Sequence, residues 1–408
     1  MLSLNQTRPN PMSAPESSTT EHFPPPHLYP VTNSRDVWSA VLLARPPAAR
    51  LEELASLFGE FGLGQALGEM SCIVPLADSA ALSNALAEQL PVQRITLLVP
   101  LSHCLDPLAA GDLERLRRLG FRVMAGGLPQ AGAKLPDAVT ALALAASAAS
   151  DNGVTKVLRQ LPGPHLAMGT DSPAGFAQTL AAGCGWFAGE YPLHPPPNQQ
   201  QQGPSRTLLL KLLGLVASDA EAHTIEALLK QTPELSYQLL KLVNSVSFSL
   251  ANKISNFRQA IAILGRRQLQ RWLQLLLYAQ NRGGAHNPLM DRAALRASLI
   301  ETLCKASGGD REEQERGFMI GMFSLLEALF AMPLADIVTP LNLADDVVAA
   351  LLQRDGRLGA MLSLVEQSEH APAPDFAERL AALGLTPAGY CRSLVQACQW
   401  TIQVNRGI

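Results

Sequence analysis

Pro192-Leu-His-Pro195-Pro-Pro197-Asn-Gln199-Gln-Gln-Gln202-Gly-Pro204 is where the chain changes character. Proline stiffness joined to a glutamine run, with no charged residue, reads as a linker between domains over 192–204. Upstream, short apolar runs recur at 37–43, 72–76, 95–101, 121–125, 138–142, 165–168 and 185–188. Segments 50–59, 79–89 and 111–119 between them have helical spacing. Strands alternating with helices imply a parallel sheet with crossover connections, so residues 31–191 are expected to form an α/β domain. A complete (β/α)8 barrel has eight strands and usually takes about 250 residues, so a shortened or incomplete TIM-like barrel is the expected form.

Downstream the period becomes helical. Pro233 opens a helix with Leu235, Leu239, Leu240 and Val243 on one face, 260–264 ends at Gly265, and 268–278 has another apolar face. Met319, Met322, Phe323, Leu326, Leu329 and Phe330 form a further stripe that Pro333 ends. Residues 205–408 are therefore expected to be all-α, with about ten helices. Residues 1–30, rich in Pro, Ser, Thr and Asn, have little to bury and are expected to form a disordered tail.

The 408 residues suit two or three domains and exclude a single small module. Hydrophobic residues at 47% against 16% charged supply sizeable cores and exclude global disorder. A formal net charge of -3 does not suit a protein that coats nucleic acid. Residues 235–290 nonetheless carry Lys241, Lys253, Arg258, Arg266, Arg267, Arg271 and Arg282 with no Asp or Glu. That stretch is either a solvated basic surface or a face for an acidic partner, with Arg258, Arg266, Arg267 and Arg271 the candidate residues. The six cysteines form no CxxC pair and no Cys/His cluster, which gives no zinc or dithiol motif and suits reduced thiols in a cytoplasmic protein. The first 15 residues hold no continuous apolar core, and the uncharged stretch 172–189 contains Pro173 and four glycines, so neither a signal peptide nor a spanning helix is expected.

Leu239-Leu-Lys-Leu-Val-Asn244-Ser245-Val-Ser-Phe248, then Lys253-Ile254, Gln259-Ala260-Ile261 and Leu264-Gly265, resembles the signature of HDOD domains, all-helical relatives of the HD phosphohydrolases. Gly317-Phe-Met-Ile-Gly321-Met-Phe-Ser-Leu-Leu326, with 349–352 and 356–359, is similar to the C-terminal half found when HDOD follows an EAL-type domain. The resemblance implies a two-domain EAL/HDOD signalling protein of bacteria, with a first domain related to cyclic-di-GMP phosphodiesterases.

Both implied active sites look depleted. HD chemistry needs a His-Asp pair around two metal ions, and none of the eight histidines is followed by Asp. EAL chemistry needs Asp and Glu at strand ends to hold two cations. The strand at 95–101 lacks its Glu, and the Asp-Asp-Phe-Gly turn falls on Ala125-Gly126-Gly127-Leu128. The Lys-x-Asp strand falls near Thr140-Ala-Leu142, and the Ala-Glu-x-Val-Glu strand falls near 167–171, where Asp171 alone is acidic and equally suits a helix cap. Arg122 and Lys134 are the basic residues left to meet a phosphate. Glu226-Ala-Leu and Glu327-Ala-Leu spell the family's tripeptide inside helix-periodic segments, and Asp345-Asp346 suits a first helical turn.

The resemblance and these substitutions imply a protein with no catalytic, metal or cofactor-binding residues, whose HDOD domain binds other signalling proteins while the degenerate barrel docks or regulates. A cyclic-di-GMP receptor without hydrolysis and a residual phosphodiesterase are the alternatives. Asn244, Ser245, Phe248, Ala260 and Gly265 are expected to serve structure, and Gly317 and Gly321 to allow close helix contact.

Overall fold

The computed structural model describes residues 25–44, 50–130, 132–151, 153–194, 211, 214–215, 220–230, 271, 274–278, 286–341, 343–370 and 373–405. Eight strands close into a barrel: β1 (His27–Asn33), β2 (Trp38–Ala44), β3 (Ser71–Pro75), β4 (Ile95–Pro100), β5 (Arg122–Gly126), β6 (Val139–Ala145), β7 (Leu166–Met168) and β8 (Trp186–Ala188). Strands β2 to β8 pair in parallel, whereas β1 runs antiparallel to both β2 and β8 and closes the ring.

The seven apolar runs of the sequence become β2 to β8. The barrel is complete rather than open, because an eighth strand begins at His27, inside the stretch expected to be a disordered tail. Helices α1 (Glu52–Phe58), α2 (Leu63–Leu67), α3 (Asn84–Ala87), α4 (Leu101–Cys104), α5 (Ala110–Arg118), α6 (Val154–Leu158) and α7 (Pro173–Ala182) follow the parallel strands. They are short, most of them one or two turns, which is how eight strands fit so little chain.

The second half is helical throughout its described residues: α8 (Ala222–Lys230), α9 (Pro288–Ala306), α10 (Arg311–Phe323), α11 (Leu326–Phe330), α12 (Leu334–Val338), α13 (Asp345–Gln353), α14 (Gly356–Ser368), α15 (Phe376–Ala382) and α16 (Pro387–Asn405), with 274–278 also helical. Glu226-Ala-Leu lies in α8 and Glu327-Ala-Leu in α11, so neither tripeptide is part of a barrel, and Asp345 and Asp346 stand in the first turn of α13. Gly317 and Gly321 bring α10 against α9. A Cβ at Gly321 would lie 2.4 Å from Ala297 Cα, and one at Gly317 would lie 2.9 Å from Cys304 Sγ. No single described helix is long and apolar enough to cross a membrane; the bent pair 311–330 and 334–341 passes only by length and composition.

The halves share one apolar core that runs from Leu28, Trp38, Val41 and Leu43 of the hairpin to Leu289, Leu364, Phe376, Leu394 and Cys398. Strands β1 and β2 meet the helical half directly, with Trp38 N–H donating to Asp291 of α9. His27 packs its ring 4.8 Å from Phe376 and its Nδ1 lies 3.0 Å from Ser368 O. Arg392 of α16 stacks 5.7 Å above Phe61, next to α2. All six cysteines are buried and unpaired.

Candidate functional site

A (β/α)8 barrel does its chemistry at the C-terminal ends of its parallel strands. In this barrel the lumen holds Val31, Ala40, Ile73, Met124, Ala141, Ala143, Leu166, Trp186 and Ala188, with Leu42, Leu98 and Met168 packed against them. Side chains two apart share a strand face, so these residues form stacked apolar layers up to the mouth. The rim continues the pattern. Gly126 ends β5 and Gly127 follows at φ +133°, where a Cβ would sit 3.2 Å from Leu101 Cβ. At β8, a Cβ on Gly189 would fall 2.3 Å from Thr170 O, so the loops after β7 and β8 touch through backbone.

The acids near this rim are committed to loop structure. Asp171 Oδ1 accepts from Glu190 N–H at 3.0 Å. The cap of α7 is Ser172, whose Oγ accepts from Gly175 N–H at 3.1 Å, so of the two readings open for Asp171 the helix cap does not hold. Asp78 Oδ1 accepts from Ala80 N–H at 2.9 Å. A pair of divalent cations needs several convergent oxygen ligands, and the donor set here does not fit them. Among the described residues no group of three His, Cys, Asp or Glu side chains converges. Arg122 stands at the start of β5, at the end opposite the mouth, and Lys134 is exposed in the loop after β5, so they do not converge on one phosphate.

One constellation escaped the sequence reading because its members are 24 residues apart. His103 Nε2 lies 2.8 Å from Ser79 Oγ, accepts from Ser79 N–H at 3.2 Å, and is 3.7 Å from Asp78 Oδ1. Serine activation requires the acid on the other ring nitrogen, and Ser79 is fully buried. The three side chains therefore brace the loop after β3.

The richest electrostatics lies where the halves meet. Asp291 of α9 accepts from Trp38 N–H at 3.3 Å and pairs with His286 Nε2 at 2.9 Å. Burial raises the Asp291 pKa, with His286 and the Trp38 N–H opposing. Burial works against charge on His286, but Asp291 outweighs it and raises its pKa. Beside them Tyr191 donates to Asp36 Oδ1 at 2.7 Å. Glu190, on the loop after β8, lies 3.0 Å from His370 Nε2 and 3.9 Å from Arg292. Arg292 continues to Glu369 at 3.4 Å, and Arg296 grips Glu369 through two bonds of 2.7 and 2.8 Å. Arg296 also lies 3.4 Å from Glu366, which Arg354 holds at 2.7 Å.

Of the residues proposed as a partner face, the structure describes Arg271, which forms an ion pair with Glu301 and places its guanidinium 4.5 Å from the Phe318 ring centroid. It is mostly buried, and desolvation lowers its pKa, so it is part of the helical core and not a displayed charge. Arg258, Arg266, Arg267 and the signature residues Asn244, Ser245, Phe248, Ala260 and Gly265 lie outside the described residues.

Residues 207–332 match the family model of the HDOD domain. The chain is 30% identical over 233 residues to the cyclic di-GMP phosphodiesterase CdgJ of Vibrio cholerae, covering 57% of this chain and 54% of that protein. It is 34% identical over 138 residues to the uncharacterized protein YuxH of Bacillus subtilis, covering 33% of each. The chain thus spans about half the length of the first relative and a third of the second. Solved structures that overlap it include the EAL domain of Mycobacterium smegmatis DcpA, at 15% identity and TM-score 0.33 over 41% of this chain and 88% of that one. The EAL-like domain protein YdiV overlaps at 15% identity and TM-score 0.32, over 41% and 90%. At such scores the overlap carries no argument, and the barrel rests on its own strand register.

Proposed function

From the premise that the helical half carries an HDOD domain, we propose that this chain is a non-catalytic signalling protein. Its helical half docks another signalling protein, and its barrel anchors or regulates that docking within cyclic-di-GMP signalling. The observation that carries the reading is the lumen, where Leu42, Ile73, Leu98, Met124, Ala143 and Met168 line the approach to the mouth. Phosphodiester hydrolysis by two cations needs carboxylates there. The rim supports the same reading, since its glycines press against neighbouring loops and Asp171 is engaged by a backbone N–H. The link to cyclic-di-GMP draws on the likeness to the Vibrio protein, which is described as a phosphodiesterase.

Calorimetric titration with cyclic-di-GMP, with and without Mg2+, run beside a hydrolysis assay on the same preparation, tests the proposal. No turnover is expected, and turnover abolished by EDTA would sink it. Saturable binding without turnover would recast the barrel as a receptor. For the docking role, Arg266→Glu with Arg267→Glu is expected to weaken capture of an acidic partner and its salt sensitivity.

A further inference from the structure

The floor of the barrel, at the end away from the mouth, carries a polar layer. Ser71, Thr96 and Arg122 stand at or near the starts of β3, β4 and β5. Each precedes by two positions a residue of the lumen, Ile73, Leu98 and Met124, so all three face inward. Thr96 and Arg122 are register partners on adjacent strands. Arg122 Nη2 donates to Ser71 Oγ at 2.9 Å, and β3 and β5 are separated by β4, so the arginine reaches across the lumen past Thr96.

The chemistry of this layer is one-sided. Thr96 is 2% exposed and its Oγ1 has no hydrogen-bond partner. Arg122 is half-buried, and no carboxylate among the described residues lies within ion-pair distance of it. A guanidinium has five N–H donors and no acceptor, and the serine hydroxyl that accepts from it keeps its own hydrogen. The groups left uncommitted are therefore the remaining guanidinium N–H bonds and two hydroxyls, all able to donate to one acceptor between three neighbouring strands. A planar fork of donors beside hydroxyls suits an oxyanion.

We propose that the floor of the barrel binds a small oxyanion, a phosphate or a carboxylate, on Arg122, Ser71 and Thr96. The N-terminal face of such barrels usually serves stability, and this layer differs by presenting donors without an acid to meet them. The site lies apart from the mouth and stands or falls independently of the signalling role.

The test is thermal unfolding of the full chain titrated with inorganic phosphate or with malonate, against chloride at matched ionic strength. A ligand that binds the folded state raises the melting temperature saturably. A saturable rise with phosphate, with malonate or with both, absent with chloride, is expected, and the two arms distinguish the anion's source. Arg122→Gln should weaken the apparent affinity at least about tenfold, the scale of one lost charge-assisted contact. Thr96→Val keeps the shape and removes the unpaired hydroxyl, so its melting temperature without anion should be unchanged or higher while its response to the anion falls. No saturable rise in the wild-type chain, or an undiminished rise in either variant, would overturn the proposal.

Discussion

Gly189 and Glu369 show at the scale of single residues how little freedom the sequence had. The Thr170 backbone occupies the space of any Cβ at 189, and backbone cannot step aside as a flexible side chain can. Gly189→Ala should therefore destabilise the chain by about 1–3 kcal/mol, the usual cost of overpacking, measurable by urea denaturation. Burial pushes the Glu369 pKa up, but Arg296 and Arg292 outweigh it and hold the carboxyl below its ordinary value of 4.5. A depressed folded pKa adds stability above the unfolded value that disappears as pH falls through the folded one. Glu369→Gln should cost about 3 kcal/mol at neutral pH, since Arg296 keeps Glu366 as a second partner, and should flatten the loss of stability below about pH 4.5. An acid limb as steep as that of the wild type would show that Glu369 is not the group that titrates. At this scale the sequence was partly legible: Gly126 and Gly127 declared themselves, whereas Asp171 and Arg271 did not, because their partners Glu190 and Glu301 are distant in the chain.

Among the elements, β2 to β8 could be read directly because each is a compact apolar run bounded by turn residues. Strand β1 could not, for two physical reasons. It follows a proline-rich stretch, and Pro30 within it lacks an N–H for the ladder, which argues against a strand in any local reading. Its antiparallel place between β2 and β8 is set by ring closure, a long-range constraint. The close packing of α9 on α10 was legible in Gly317 and Gly321. Gly321→Ala sets a helix-propensity gain of about 1 kcal/mol against a clash with the Ala297 backbone. Since the neighbouring backbone cannot yield, a net loss of about 1–2 kcal/mol is expected, read from the denaturation midpoint. A neutral or stabilising result would mean that the two helices can move apart.

For the whole molecule, the linker marks off two halves, and the apolar core passes from the β1–β2 hairpin into α9, α14, α15 and α16. Calorimetry of the intact chain should show a single cooperative transition, and two resolved transitions would contradict the shared core. Residues 25–194 and 205–408, prepared apart, should each be less stable than the intact chain and should reassociate when mixed. The hairpin's share in that core also has a bearing on synthesis. The barrel has all its strands once Ala188 is made, whereas Asn405 at the end of α16 comes roughly 10–40 s later at the usual 5–20 residues per second. Until then Leu28, Val41 and Leu43 of the hairpin lack their helical partners in the shared core, so a premature stop within α14 to α16 strikes first at the oldest part of the fold.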